Sequence, residues 1–545
     1  MASRKTFLSG SALAAGALLS PTEIVAAAGA QNEPVNAAAR RKRALAIREG
    51  AARAHYLAGD VVNASNGDER RYADKRASFS KTLPHNDLGE VHPDDFARFV
   101  AIVERGDAAA FETMPRDPLA TDRLNDPQAT YAYEYVADDS HATAMPPPPE
   151  FASARMAAEM GELYWHALTR DVPFTDFESD SLIAASVADL NGFSARLDQR
   201  SGAPASAATL FRAPFAGATV GPFVSQFLWL DVPYGPATIT QKYRTPQPGQ
   251  RFLTQPPEWL ACQRGIETKN KLVNGQPRWI ATTGDLAAYV HKDFSFQAFV
   301  HAALIALSYG SEALSPTNPY RASKTQFGDI TFGNKMFLTM IAQAALIGQK
   351  TSYYHKWLVH RRVRPEVTAG RIHYELAGRK AYGIHPDILR SGAVARTKAL
   401  QGTALLSIAY PEGCPTHPSY PAAHACNAGA CATVLKAFFN ERFVLRNAVV
   451  ASAGGDELRP WNDAPLTLGG EFEKLAGNIA FGRHAAGVHY RSDSVAGLRA
   501  GEAQGISLLR DYSRTFNERF DGFELTAFDG RRFRIRNGEI LLSGA

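Results

Sequence analysis

The sequence predicts an all-α protein, and three observations carry that expectation. Long runs with apolar residues at helical spacing dominate the C-terminal half, over 286–307, 334–364, 421–444 and 471–513. The composition is that of an ordinary globular chain, 45% hydrophobic, 21% charged and 10% aromatic, which excludes bulk disorder, collagen and coiled coil. A strand signal is read at the C-terminus, where 523–541 with its Asn537-Gly538 turn forms a small β-hairpin.

In chain order, Ser3-Arg4-Lys5-Thr6-Phe7-Leu8 leads into an apolar, small-residue run to Leu19 and an Ala-rich stretch from Ala26 to Ala30. A charged start, a short apolar core and an A-x-A-like site read as an export signal over 1–30. Its start resembles the twin-arginine type, with Lys5 in place of the second arginine. The expected location is periplasmic or secreted. The apolar run is shorter than the ~20 residues that span a bilayer, and no later segment is apolar enough, so no membrane span is expected.

From Ala37 to Leu57 the spacing is helical, and Arg40-Arg41-Lys42-Arg43 reads as a solvated face. Residues 59–150 are rich in turn formers and end in Pro146 to Pro149, which cannot lie inside a helix. Helical spacing returns over 151–190, with Met156, Met160, Leu163, Tyr164 and Leu168 on one face. The stretch 202–285 is rich in Gly, Pro and aromatics and reads as irregular. The expected organisation is an N-terminal helical and loop region over 31–290 and a helical-bundle region over 291–545, forming one structural unit.

The 59 Lys and Arg against 54 Asp and Glu give a formal charge of +5, too dilute over 545 residues to argue for nucleic acid. The cysteines Cys262, Cys414, Cys426 and Cys431 form no C-x-x-C pair, which argues against a zinc ribbon or a thioredoxin-type site. There is no H-E-x-x-H or G-x-S-x-G, and Gly348-Gln349-Lys350-Thr351 is an incomplete phosphate loop.

Three clusters carry the chemistry. In the first, Tyr354 to Glu366, the spacing places Lys356, His360 and Arg364 within an arc of about 80° on a helix that ends at Arg364-Pro365. A stripe of cations on an apolar helix calls for an anion, or else forms a polar rim over a core helix. In the second, Cys414 to His424, Pro421 is suited to be the first helical residue. The N–H groups of Ala422, Ala423 and His424 would then face an oxyanion at a positive helix end, with His424 able to exchange a proton with it. In the third, Arg483 to Asp493, His489 and Asp493 are four residues apart, so the carboxylate can orient the imidazole, and Arg483 can bring a forked donor to the same ion.

Together these clusters resemble the signature of the vanadium-dependent haloperoxidases, which share an active site with the type 2 phosphatidic acid phosphatase superfamily. The pattern is a lysine with Arg-Pro, then Pro-x-x-His, then Arg-x5-His-x3-Asp. Here it is carried by Lys356 with Arg364-Pro365, by Pro421 with His424, and by Arg483, His489 and Asp493. The spacing from Lys356 to Arg364 is one residue longer than is typical of the phosphatase branch, as in the bromoperoxidases. Phe79-Ser80-Lys81 through Gly89, Lys356-Trp357 through Glu366 and Gly482 to Asp493 also look like that branch.

The resemblance implies two helical bundles with long irregular loops, vanadate as cofactor at the end of one bundle, and often a homo-oligomer. It also implies oxidation of halide by hydrogen peroxide to hypohalous acid, with an organic acceptor downstream. On that basis His489 supplies the one protein bond to vanadium, and Lys356, Arg364, Arg483 and the Ala422-Ala423 backbone hold its oxygens. His424 is the acid/base, Asp493 supports His489, and His417 marks bromide and iodide as favoured over chloride.

One departure stands out: Ala422-Ala423 replaces the Ser-Gly common in the family, removing a hydroxyl and adding a methyl near the ion. Ala423 would be strained only if the position needed positive φ. Two alternatives follow: a phosphatase with His489 as nucleophile, or a scaffold whose vanadate binding is weakened or lost.

Overall fold

The computed structural model describes residues 36–198, 201–268 and 270–542; the expected export signal lies outside them. The longer helices are α1 (Ala37–Leu57), α2 (Pro93–Arg105), α3 (Ala154–Thr169), α4 (Ser181–Asn191), α5 (Pro256–Gln263), α6 (Thr283–Lys292), α7 (Gln297–Ser308), α8 (Asn334–Tyr354), α9 (Pro365–Leu376), α10 (Gly392–Gln401), α11 (Ala423–Phe438), α12 (Leu468–Ala485) and α13 (Arg491–Tyr512). No helix among the described residues is long and apolar enough to cross a membrane.

Helix α11 is the axis of the molecule, enclosed by α8, α12 and α13. Its sequence of Ala, Gly, Cys and Asn presents little bulk, and every residue except His424 is buried. The small residues let backbones touch. A Cβ on Gly429 would stand 2.0 Å from the Leu498 carbonyl oxygen, and one on Gly501 1.9 Å from that of Cys426. Alanine at either position would force α11 and α13 apart, at a typical overpacking cost of about 1–3 kcal/mol. A smaller group sets α3 against α4 and α10. Met156, Met160, Leu163 and Tyr164 of α3 enter a continuous core that runs from Ala77 to Ile535.

The irregular segments carry only short antiparallel pairs. β1 (Val232–Tyr234) pairs with β2 (Ala237–Ile239), β3 (Tyr243–Pro246) with β4 (Asn274–Arg278), and β5 (Val449–Ala451) with β6 (Leu458–Pro460). At the C-terminus β7 (Phe523–Thr526), β8 (Arg532–Arg536) and β9 (Glu539–Leu542) form one sheet. The expected hairpin is β8–β9. Its turn uses Asn537 and Gly538, both at positive φ, and β7 extends it to three strands.

Three apolar runs are broken where continuous helix was expected. The run 286–307 divides at Asp293, after α6, and the run 471–513 divides at 486–490, where Gly487 takes a φ of +81°. In the run 334–364, α8 stops at Tyr354 and the backbone widens into a π-helical turn over His355–His360, closed by Arg361 at φ 37°. Arg364 then caps α9 from outside the helix. The expected stripe of Lys356, His360 and Arg364 on one helix therefore does not form. Arg364 belongs to a new element, and the buried His360 ring turns toward His355 and Tyr420. All four cysteines are buried and free.

Candidate functional site

The π turn places Lys356 on the inside of the bundle end, fully buried. Its Nζ donates to the carbonyl oxygens of Pro418 (2.7 Å) and Ser419 (3.0 Å), which leaves one of its three N–H groups for a ligand. Arg364 is equally enclosed. Its Nε donates to the His417 carbonyl (2.8 Å), Nη2 to His417 Nδ1 (2.9 Å), and Nη1 to the Val488 carbonyl (2.7 Å) and His489 Nε2 (3.0 Å). Arg483, near the end of α12, donates through Nη1 to the Val290 carbonyl (2.7 Å), and its buried Nε has no partner. The structure thus brings Lys356, Arg364, Arg483, His417 and His489 together.

None of these three cations forms an ion pair among the described residues, and Asp493, the carboxylate beside them, is engaged elsewhere. Its Oδ2 receives the Ser419 hydroxyl (2.5 Å), the Tyr490 N–H (3.1 Å) and His489 Nδ1 (3.0 Å), and its Oδ1 receives Arg362 Nη1 (2.7 Å). The expected contact between His489 and Asp493 forms, across the start of a helix rather than along one. His489 lies in the link between α12 and α13, and Asp493 sits in the first turn of α13. Because a carboxylate only accepts, Nδ1 of His489 carries the proton and Nε2 presents a lone pair to the cations. Burial, then Arg364, Lys356 and Arg483, hold His489 far below the usual histidine range and so neutral. His417 is depressed likewise by burial and by Lys356 and Arg364. Burial with Arg364 alongside also pushes Lys356 well below the usual lysine value.

A buried cluster of this kind is costly unless an anion completes it. The orphaned Arg483 Nε and the spare N–H of Lys356, beside a His489 Nε2 whose one partner is an Arg364 N–H, fit a compact oxyanion that can also take one nitrogen ligand. No group of His, Cys, Asp and Glu among the described residues is arranged for a metal cation.

Two expectations about the second cluster are corrected. Helix α11 begins at Ala423, not Pro421, and Ala422 is its N-cap with φ −72° and ψ 123°. The Ala422 N–H is not a free anion donor, because it donates to the Asp493 carbonyl oxygen (3.0 Å). The first-turn donors are those of Ala423 and His424. Ala423 is right-handed helical, so its methyl carries no backbone strain.

His424 is the one partly open member, with 26% of its side chain exposed, and its Nε2 lies 3.1 Å from the buried Asp293 Oδ1. Sequence reasoning missed Asp293. It is distant in sequence, and its one signal is that it follows the last residue of α6. The reading also passed over Arg362 and Ser419, the Asp493 partners, although both lie within the quoted clusters. Behind the loop, Lys81 donates to the carbonyls of Cys414 (2.6 Å) and Glu412 (3.0 Å), while Glu366 accepts the Cys414 N–H (2.7 Å). This explains why the Phe79-Ser80-Lys81 stretch matters: it fixes the loop bearing His417.

The fold and site define a mainly helical protein whose buried cations and imidazoles suit an oxyanion, with a partly open histidine at the rim. Comparison with known proteins agrees. The family described as the VCPO second helical-bundle domain matches residues 336–518. The vanadium-dependent bromoperoxidase of Ascophyllum nodosum is 34% identical over 513 residues, covering 89% of this chain and 90% of that protein. That of Corallina pilulifera is 31% identical over 601 residues, covering 92% and 99%. The homohexameric structure of the second vanadate-dependent bromoperoxidase from Ascophyllum nodosum superposes with a TM-score of 0.88 at 26% identity, covering 96% of this chain and 97% of that one. The chain belongs to the vanadium-dependent bromoperoxidase family.

Proposed function

We propose that this chain is a vanadate-dependent haloperoxidase that uses hydrogen peroxide to oxidise bromide or iodide to the hypohalous acid. The observation that carries the reading is the unpaired cationic cluster of Lys356, Arg364 and Arg483 around the His489 Nε2 lone pair. His489 would bind vanadium through Nε2, and the three cations would hold the oxygens. When bound, vanadate supplies a Lewis acid of constant oxidation state that activates peroxide toward halide.

The chain's own residues do the rest. Asp493 holds the proton on His489 Nδ1, so that Nε2 stays a ligand. His424 takes a proton from incoming hydrogen peroxide and returns it to the leaving oxygen, with Asp293 fixing its ring. Arg364 donates to His417 Nδ1, which leaves the His417 Nε2–H to face a large, weakly hydrated halide, in line with bromide and iodide over chloride. The other walls are buried and keep bulk water out.

An organic acceptor would be halogenated by the released product. Export through residues 1–30 and a homo-oligomeric state, supported by the homohexameric relative, complete the reading.

The test is a paired assay after vanadate loading. Bromination of a phenolic dye that requires both vanadate and hydrogen peroxide is expected. Hydrolysis of a phosphate monoester without bromination would replace the reading with a phosphatase that uses His489 as nucleophile. Loss of both activities, with no stoichiometric vanadate binding, would leave the scaffold reading.

A further inference from the structure

Beside the site runs a segment, Thr130-Tyr131-Ala132-Tyr133-Glu134-Tyr135, whose aromatic side chains take no part in the proposed reaction. Three contacts lay it along the C-terminal end of α8. Thr130 Oγ1 donates to the Tyr353 carbonyl (2.9 Å), and Lys350, one turn earlier, donates to the Tyr133 carbonyl (3.1 Å) and pairs with Glu134. The Tyr353 ring stands 5.5 Å from that of His417. Gln349 on the same turn reaches Ser295, two residues beyond Asp293, the partner of the rim histidine His424. Tyr131 is tied down, its hydroxyl donating to the Val103 carbonyl, whereas Tyr133 is 81% exposed and Tyr135 fully exposed.

We infer that Tyr133 and Tyr135 are the enzyme's own halogen acceptors, brominated at the ring carbon ortho to the hydroxyl by hypobromous acid leaving the site. The inference rests on the proposed activity as the source of that acid. In the step, the phenol ring attacks bromine and forms a C–Br bond as the Br–O bond breaks. The ortho carbon then loses its proton, and hydroxide with that proton becomes water. The ring is the nucleophile and no further oxidant is consumed. The para carbon already bears the side-chain methylene, which leaves the ortho positions. A phenol tied to the helix end that borders His417 meets the product at a higher effective concentration than one elsewhere on the surface.

Tyr234 provides the comparison, being 52% exposed on the β1–β2 turn. Its strand follows a segment docked at the opposite end of α12. The Gln226 N–H binds Glu471, which lies twelve residues and roughly 18 Å along the helix from Arg483.

The experiment uses the full vanadate-loaded chain with bromide and limiting hydrogen peroxide, with and without an excess of a bromine-scavenging thioether. Dye bromination is followed in a parallel vessel, and peptides are mapped by mass spectrometry for the two-isotope bromine doublet. Bromine at Tyr133 and Tyr135 should exceed that at Tyr234 by about tenfold or more and should persist with the scavenger, as local delivery requires. Reagent hypobromite given to the vanadate-free chain should modify all three without that preference. An even distribution during turnover, or modification abolished by the scavenger, overturns the proposal. So does dye bromination with Tyr133 and Tyr135 unmodified. Absence of dye bromination would instead remove the parent activity and this inference together.

Discussion

His489 Nδ1 lies 3.0 Å from Asp493 Oδ2, so the imidazole that faces three cations has its proton fixed on the far nitrogen. The same carboxylate is clamped by Arg362 and Ser419, which leaves it no freedom to approach the cations itself. Asp493→Asn tests the arrangement. An amide can donate to Nδ1 and so move the ring proton to Nε2, where it would block the lone pair. Vanadate affinity should fall about 10–100-fold, the usual cost of losing a ligand's hydrogen-bond partner, while the far-ultraviolet circular dichroism is unchanged. Equilibrium dialysis with vanadate measures it, and wild-type affinity would refute the orienting role.

The rim pair separates binding from proton transfer. His424 is the one partly exposed residue of α11, and its ring is held by Asp293. His424→Ala should lower peroxide turnover by about 10²–10⁴-fold, the range for losing a general acid/base, with vanadate affinity within a few-fold of wild type. Asp293→Asn should reduce kcat less and leave vanadate binding unaltered. If His424→Ala abolishes vanadate binding, its role is structural rather than catalytic.

Much of this was legible in the sequence because the site residues are cationic or imidazole side chains at fixed spacings on strongly periodic runs. What was not legible lies where the periodicity is interrupted. Lys356 sits in a π turn that hydrophobic spacing cannot distinguish from α-helix, and His489 follows a glycine in the left-handed region. Asp293 occupies a break at the polar His291-Lys292-Asp293 step of a run whose helical spacing resumes beyond it. Helical spacing identifies the faces that pack, whereas the points at which the backbone leaves the helix are set by tertiary contacts. Arg364 is the clearest case: Pro365 marked a boundary, but as the start of α9 rather than the end of α8.

The buried histidines set the acid limit of stability. Burial lowers His85 and His484 to about 3 and His301 and His355 to about 4. In the unfolded chain each would take up a proton near pH 6.5. Between about pH 6.5 and 4 the unfolded state therefore binds more protons, and stability falls as pH falls, by up to ~1.4 kcal/mol per pH unit for each histidine. Glu502 works the other way over part of this window, because burial raises its carboxyl to about 7, but it is one proton against four. Urea denaturation at stepped pH should show stability declining from pH 6.5 to 4.5. A flat or rising profile would mean that these rings are solvated in the folded protein.

The Ala422-Ala423 pair bears on the cofactor through geometry rather than strain. Ala423 begins α11 in right-handed conformation, so glycine offers no relief there and only adds freedom to the unfolded chain. The Ala422 N–H is already committed to Asp493, which anchors the helix start whichever residue follows. Ala423→Gly should therefore lower stability by about 0.5–1 kcal/mol and leave vanadate affinity within about twofold of wild type. Thermal unfolding and vanadate titration of the same preparation measure both. A tenfold gain in affinity would show instead that the methyl group intrudes on the anion, and the departure from Ser-Gly would then be a tuning of cofactor binding rather than a neutral exchange.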